Sequence, residues 1–198
     1  MGFSVIFDIL TATIIGGIIL MNLLNLNENV YQTEVTSMMD VNLQVEVINT
    51  ANVIENDFNK IGYCANPANI NDLPKVTLGD SSSIKIVFDA DKNGFYDTVY
   101  YYVSDTTLLN NTPNPRDKVL YRRLNGNTPY MVSNRITDFR LQYLDALYNV
   151  LPTPVASPGL ATYIKIAIKV EDPFAIENEY NEAYWRRLTV TAKNLKRN

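Results

Sequence analysis

FSVIFDILTATIIGGIILMNLL, from Phe3 to Leu24, is the stretch that decides the fold of this chain. Its 22 residues contain a single charged side chain, that of Asp8, and one late asparagine. A helix rises by about 1.5 Å per residue, so this stretch would be roughly 33 Å long, close to the thickness of the hydrocarbon core of a bilayer. The sequence therefore predicts an N-terminal helix that is apolar enough to span a membrane.

A cleaved secretory signal is the main alternative for this stretch. Such a signal has a basic segment, a shorter apolar run and a cleavage site with small residues, and none of these is clear here. Because no Lys or Arg precedes the span, the positive-inside rule gives no orientation. The N-terminal amine and the acidic residues that follow the span favour a cytoplasmic N-terminus.

The helical pattern continues well beyond the apolar stretch. From Ile18 to Ile61 there are 44 residues without Gly or Pro. Two stripes with the spacing 4-3-4-3 follow one another, Tyr31, Val35, Met38, Asn42 and Val45 and then Val47, Ala51, Ile54, Phe58 and Ile61. The segment Val41–Val47 alternates as a strand would, but helical spacing flanks it on both sides. We predict one continuous helix through Ile61, with the second stripe packed on the rest of the protein, so that residues 1–61 form the first domain.

Residues 62–198 have the pattern of a β-rich head. Short segments rich in Ile, Val, Tyr and Thr alternate between apolar and polar residues and are separated by Pro, Gly and Asn. The predicted strands are Ser83–Phe88, Thr98–Val103, Val119–Leu124, Ile136–Leu144, Tyr163–Val170 and Trp185–Lys193, and the predicted loops are Leu151–Ala161 and Glu177–Glu182. Short connections imply an antiparallel sheet with one apolar face, and the second helical stripe is available to cover it. The expected fold class is α+β.

Charge is distributed unevenly along the chain. Residues 1–59 hold seven acids and no Lys or Arg, whereas residues 60–198 hold all 17 basic residues and the other 14 acids, which gives charges of −7 and +3. The charge of either segment alone is explained by charged side chains that are simply solvated. Together they fit subunits that stack so that the head of one subunit meets the stem, residues 1–59, of another. The net charge of −4 argues against nucleic acid as a partner.

The residue types that are missing exclude several functions. The chain has no His and one Cys, so it forms no intrachain disulfide, no usual Cys/His zinc site and no Ser–His or Cys–His nucleophile. Cys64 is expected to be a buried apolar residue, and an intermolecular disulfide is the alternative. No glycine-rich phosphate loop is present, and nothing singles out a catalytic pair of carboxylates. We do not expect an enzyme.

The apolar stretch contains two candidate assembly features. Asp8 is either a functional intramembrane carboxylate or an acid near the interface that the positive end of the helix dipole stabilises. The pair Gly16 and Gly17 either lets membrane helices approach closely or allows the helix to kink.

One motif of the head could bind a metal ion. Asp89-Ala-Asp91-Lys-Asn93-Gly94-Phe95-Tyr-Asp97 places oxygen ligands at positions 1, 3, 5 and 9 and Gly at position 6, as the first part of an EF-hand loop does. Asp89, Asp91, Asn93 and Asp97 with the Phe95 carbonyl are therefore candidate calcium ligands. Position 12 is Tyr100 where such a loop has Glu, and strands flank the motif. A hairpin turn without metal is the alternative.

Several local motifs together resemble the type IV pilin superfamily, in particular its minor pilins and the J-type pseudopilins of type II secretion. These motifs are Gly2-Phe3-Ser4-Val5-Ile6, Asp57-Phe58-Asn59-Lys60-Ile61-Gly62-Tyr63, the acidic hairpin that leads into Tyr100-Tyr101-Tyr102, Leu120-Tyr121-Arg122-Arg123 and the ending Val-Thr-Ala-Lys-Asn-Leu. The resemblance implies inner-membrane insertion, removal of a short leader between Gly2 and Phe3, and assembly into a filament with like subunits. The head would lie in the periplasm first and outside the cell after assembly.

This sequence departs from the family pattern at two points. Only Met1 and Gly2 precede Phe3, without the basic residues of the family leader, and Asp8 is the sixth residue from Phe3 where the family has its carboxylate at the fifth. The alternative function is that of a signal-anchored monomeric binding domain on a helical stalk.

Overall fold

The structure, a computed structural model, describes residues 2–109, 112–175 and 179–190. Its first element is helix α1, Gly2–Phe58, which is 57 residues long. The predicted continuous helix is thus confirmed through Val41–Val47, where the alternating pattern is overridden by the helical sequence on both sides. Thr13, Thr33 and Thr36 each donate a side-chain hydrogen bond to the carbonyl four residues earlier, so their hydroxyls do not interrupt the helix.

The helix ends at Phe58, three residues before the predicted end at Ile61. The next residues form tighter turns, in which the Lys60 and Ile61 amides donate to carbonyls three residues back. Gly62 then adopts a φ of 78° and its amide donates to the Val87 carbonyl in the sheet. Pairing with the sheet therefore competes with further helical hydrogen bonds, and Ile61 is buried from a turn and not from the helix.

Packing divides the chain into two units, Met1–Val41 and Asn42–Asn198. In the first unit the apolar side chains of α1 are exposed, among them Ile6, Leu10 and Ile14. In the second unit the end of α1 packs on the sheet. The change in environment thus falls inside one continuous helix.

In the described residues, the head is a single antiparallel sheet of eight strands. The strands are β1 (Val76–Gly79), β2 (Ser83–Phe88), β3 (Asp97–Val103), β4 (Lys118–Leu124), β5 (Tyr130–Leu144), β6 (Val150–Leu151), β7 (Tyr163–Glu171) and β8 (Glu182–Val190). Their order is β1-β2-β3-β4-β5-β7-β8, and β6 pairs with β5. The predicted α+β fold with an antiparallel sheet is confirmed.

The sequence missed β1, β6 and the first third of β5. These segments are short or lack clear alternation, and their pairing comes from neighbouring strands; Leu151 of a predicted loop, for example, pairs with Tyr143. The last strand begins at Glu182, within a predicted loop. The predicted positions 177, 178 and 191–193 lie outside the described residues.

The core lies between the inner face of the sheet and one stripe of α1. Leu43, Val47, Ala51, Ile54, Phe58 and the following Ile61 are each no more than 5% exposed. They belong with the inner-face residues Ile84, Ile86, Val99, Tyr101, Ile136, Phe139, Leu141, Tyr143, Ile164, Ile166 and Ile168. The predicted second stripe is confirmed, while Tyr31, Met38 and Val45 of the first stripe are exposed.

A buried polar contact attaches the end of α1 to the sheet. The Tyr101 hydroxyl on β3 donates to Asp57 Oδ2 at 2.7 Å, and Arg122 Nε on β4 donates to the same oxygen at 2.6 Å. Burial, followed by the charge of Asp57, raises the pKa of Tyr101 well above its usual value. The three side chains satisfy one another in the core, which fixes the position of the helix end across two strands.

We expect Phe58→Ala to lower the free energy of unfolding of the head by about 3–5 kcal/mol, because it leaves a cavity beside the Tyr101 ring. Phe58 is 1% exposed. Chemical denaturation of the full-length protein measures the change. The control is Asn52→Ala on the exposed side of the same helix, and equal effects of the two substitutions would contradict the packing described here.

Candidate functional site

The first candidate site is the apolar half of α1. Within the described residues, one helix is long and apolar enough to cross a membrane, and it lies near the N-terminus. A membrane anchor and a signal sequence both meet this criterion. Most of its large apolar side chains are more than half exposed, so the helix has a surface that lipid or other helices can cover.

Asp8 lies on this surface in the second turn of α1, and its side chain is exposed. The carbonyls of Phe7 and Asp8 both accept hydrogen bonds from the Thr11 hydroxyl, at 2.9 Å and 3.0 Å. Among the described residues, no ion pair involves Asp8. The predicted assembly role of this carboxylate stays a prediction.

Gly16 and Gly17 of α1 also lie on open surface. A Cβ atom added to Gly16 or Gly17 would meet nothing within 4 Å. Neither glycine is therefore required by packing within the described chain, and the helix passes through both without a break. Gly2 and Phe3, the predicted cleavage residues, are helical as well, and the Phe3 ring centroid is 6.2 Å from that of Phe7.

The second candidate site is the loop between β2 and β3. Asp89, Asp91 and Asp97 each bring one carboxylate oxygen into a cluster in which all such atoms lie within 4.8 Å of one another. Three of the five predicted ligands thus converge. Hard oxygen ligands at this spacing are the type that calcium prefers.

Asp89 is the centre of this loop and is almost fully buried. Its Oδ2 accepts from the Ala65 amide at 3.0 Å and the Gly94 amide at 2.9 Å, and its Oδ1 accepts from the Asn93 amide at 3.1 Å. Burial by itself would raise the pKa of Asp89, but hydrogen bonds from the backbone of Ala65, Gly94, Lys92 and Asn93 outweigh it and hold the pKa below its usual value. The charge of Asp89 is therefore stabilised without a cation.

The other loop carboxylates also have N–H partners. Asp97 Oδ2 accepts from the Ala90 amide at 2.8 Å, and Asp97 Oδ1 accepts from the Asn125 side chain. Asp91 accepts from both the amide and the side chain of Asn93. Asn93 Oδ1 accepts from the Phe95 amide at 2.8 Å. The carboxylate and amide oxygens fit calcium chemically, and the same oxygens also accept the hydrogen bonds of a complete turn.

The loop holds the segment that leaves α1. The Gly94 carbonyl accepts from the Asn69 side chain at 2.6 Å and from the Cys64 thiol at 3.3 Å. Gly94 has a φ of +87°, and a Cβ there would lie 2.9 Å from the Cβ of Asn66, so this position requires glycine. Cys64 is buried, as expected. No local pattern pointed to Asn69 or Asn125, since the partner of each lies 25 or more residues away in the chain.

A further titrating group lies beside β4. Burial raises the pKa of Asp117 to about 6, and the Thr112 hydroxyl and the Arg135 charge only partly oppose this shift. The Asp117 residue is 2% exposed, so its carboxyl is not open to a dissolved substrate in this structure. Desolvation is therefore a sufficient cause of the shift.

Comparisons of the sequence find no matching protein-family model and no matching curated protein. The class of protein is therefore defined by the fold, an α+β protein with one long apolar N-terminal helix on an antiparallel sheet. This architecture is compatible with a pilin-like fold.

We expect added calcium to raise the melting temperature of the full-length protein, and a chelator to reverse the rise, if the Asp89–Asp97 loop binds the ion. Scanning calorimetry in detergent measures this. Asp91→Ala should abolish the calcium-dependent rise while leaving the amide contacts of Asp89 in place. An unchanged melting temperature in the parent protein would leave the loop as a hydrogen-bonded turn only.

We expect Asp117→Asn to stabilise the protein at pH 7.5 and to have little effect below pH 4. The folded pKa of about 6 exceeds the usual 3.8, so the folded state retains a proton that the unfolded state releases. Stability therefore falls as pH rises from about 4 to 6 and is flat above that. Melting temperatures at both pH values test the prediction, with exposed Asp72→Asn as the control. A loss of stability equal at both pH values would contradict it.

Proposed function

We propose that this protein is a structural subunit of a helical filament, a type IV pilus or a secretion pseudopilus, assembled through its N-terminal helix. The observation that carries the proposal is the single helix α1, which is exposed and apolar in its first part and buried under the sheet from Leu43 onward. A lone anchor needs about 20 residues to cross a membrane. As the spine of a filament, the helix needs both its exposed apolar part and the part that is buried under the sheet.

The exposed apolar side chains support a packed assembly. Fully burying one Leu or Ile is worth about 1.5–3 kcal/mol. The first unit exposes many such residues, including Ile9, Leu10 and Ile14. Lipid covers them while the subunit is in the inner membrane as a single-pass protein with a periplasmic head. Neighbouring helices cover them after assembly, when Gly16 and Gly17 permit close approach.

Asp8 supplies the polar contact of this assembly. A carboxylate at the centre of an apolar layer costs about 2.5–3.5 kcal/mol unless it is paired. Residues 1–59 contain no Lys or Arg. At 1.5 Å per residue, the amine of its own chain is about 10 Å away along the helix axis at Met1 and about 7.5 Å away at Phe3 once the leader is removed. An adjacent subunit shifted by a few residues brings its N-terminal amine beside Asp8, after removal of a leader at Gly2.

A monomeric binding domain on a helical anchor is the second candidate, and a groove in the head favours it. The groove has a volume of about 820 Å³ and lies beside β1, where Leu73, Pro74 and Leu160 form an apolar wall. Lys75 gives this groove a positive charge, and its Nζ lies 4.0 Å from the centroid of the Tyr96 ring. A protein working in this way would stay monomeric when detergent is removed.

We expect the full-length protein to form ordered filaments after detergent removal, visible by negative-stain electron microscopy. Asp8→Ala should abolish the order, because the paired charge is lost, and Asp8→Glu should keep much of it. Exposed Asp72→Ala in the head is the control. If Asp8→Ala assembles as the parent does, the pairing is wrong; if the parent stays monomeric, the filament proposal is wrong and the binding domain is favoured.

A further inference from the structure

The outer face of the sheet, opposite α1, carries a basic groove across β5, β7 and β8. Ala167 forms its centre, with Arg140 beside it on β5 and Arg186 beside it on β8. Lys165 and Lys169 point to the same face two residues before and after Ala167 on β7, since side chains alternate along a strand. Four cations therefore surround one small residue.

Two of these cations are neutralised within the head. Lys169 Nζ lies 2.7 Å from Glu171 Oε1 and 2.5 Å from Glu182 Oε2, and these contacts raise its pKa above the usual value. Arg140 lies 3.1 Å from Asp138 and is largely exposed. These ion pairs hold the Lys169 and Arg140 side chains at the edge of the groove.

The other two cations, Lys165 and Arg186, have no acidic partner among the described residues. Both are exposed, and no ion pair in this part of the chain involves either one. The centroid of the Tyr184 ring lies 6.0 Å from the Arg186 guanidinium. The groove therefore presents two uncompensated positive charges to a partner.

The groove also has an apolar wall and a defined width. Val150, Leu151 and Pro152, at and after β6, line one side of its volume of about 780 Å³. Three strands spaced about 4.8 Å apart make a floor of about 10 Å, which is close to the diameter of a helix with its side chains. An acidic helix with apolar side chains among its carboxylates matches both the shape and the chemistry.

Such a helix is present in the same chain. Glu28, Glu34 and Asp40 of α1 are exposed and form no ion pair among the described residues. Exposed Tyr31 and Met38 lie between them. Residues six apart on a helix are turned by about 240° and separated by about 9 Å, so the three acids point in three directions. Subunits on three sides of a stem can therefore each contact one carboxylate.

We propose that the groove centred on Ala167 binds the acidic stretch Glu28–Asp40 of a second copy of this chain, with Lys165 and Arg186 as the recognition residues. This inference rests on the proposed filament and names the surface through which a head holds a neighbouring stem. Residues 1–41 carry a charge of −4 and residues 42–198 are neutral overall, with 17 basic residues and 17 acids, so the local charges of Lys165 and Arg186 are what favour this pairing. Because the contacts are exposed, salt weakens them.

Cross-linking of assembled full-length chains identifies the partner of Lys165. A carbodiimide joins a lysine amine to a carboxylate only when the two are in contact, and a mixture of isotope-labelled and unlabelled chains marks products between subunits. We expect inter-chain products between Lys165 and Glu28, Glu34 or Asp40. If filaments are present and Lys165 gives none of these products, the groove inference is overturned and the filament proposal stands.

Charge reversal tests the same contact by assembly. Lys165→Glu should raise the critical concentration for assembly roughly fivefold or more, because repulsion replaces an ion pair. Lys85→Glu, on strand β2 and away from the groove, makes the same change in net charge and should leave assembly unchanged. In the Lys165→Glu chain, a second reversal at Glu28, Glu34 or Asp40 to Lys should restore assembly at one position at least.

Three results separate the possible outcomes. If Lys165→Glu assembles as the parent does, the inference is overturned while the filament proposal stands. If, in addition, calorimetry shows that inorganic phosphate binds the parent but not Lys165→Glu, the groove is an anion site instead. If the parent forms no polymer, both proposals fail together.

Discussion

The burial of one stripe of α1 against the inner face of the sheet is the interaction on which the rest of the structure depends. An antiparallel sheet with one apolar face has to cover that face, and the stripe from Leu43 to Phe58 does so in the described part of the chain. Without it, the inner faces of strands β2 to β7 would lie in water. The head and the second half of the helix are therefore one folding unit.

Polar contacts along the flanks of the helix determine where this stripe sits. Asp57 is unfavourable near a helix C-terminus, because the dipole is negative there. Its contacts with Tyr101 and Arg122 remove that penalty only in one position of the helix on the sheet. Glu55 pairs with Arg187, which points inward from the edge strand β8. A charged side chain that points inward from an edge strand also disfavours pairing of that strand with another chain.

The same helix supplies the link from fold to function. Its first part has no comparable partner in the described chain and exposes Ile and Leu side chains, whereas its second part is fixed in the head. The loop around Asp89 binds the chain just after the helix, because Asp89 accepts from the Ala65 amide and the Gly94 carbonyl accepts from the Asn69 side chain.

The sequence by itself determined the long helix, the stripe that packs on the sheet and most strands, because each leaves a local period in the pattern of apolar residues. The triad of carboxylates was also visible, since Asp89, Asp91 and Asp97 are close in the chain. Only the tertiary structure decided the end of the helix, where Gly62 pairs with Val87. It alone brought Asp57 to Arg122, 65 residues apart, and placed Lys165 diagonally across from Arg186 on the adjacent strand. Contacts of this kind depend on strand order and register, which a local pattern does not contain.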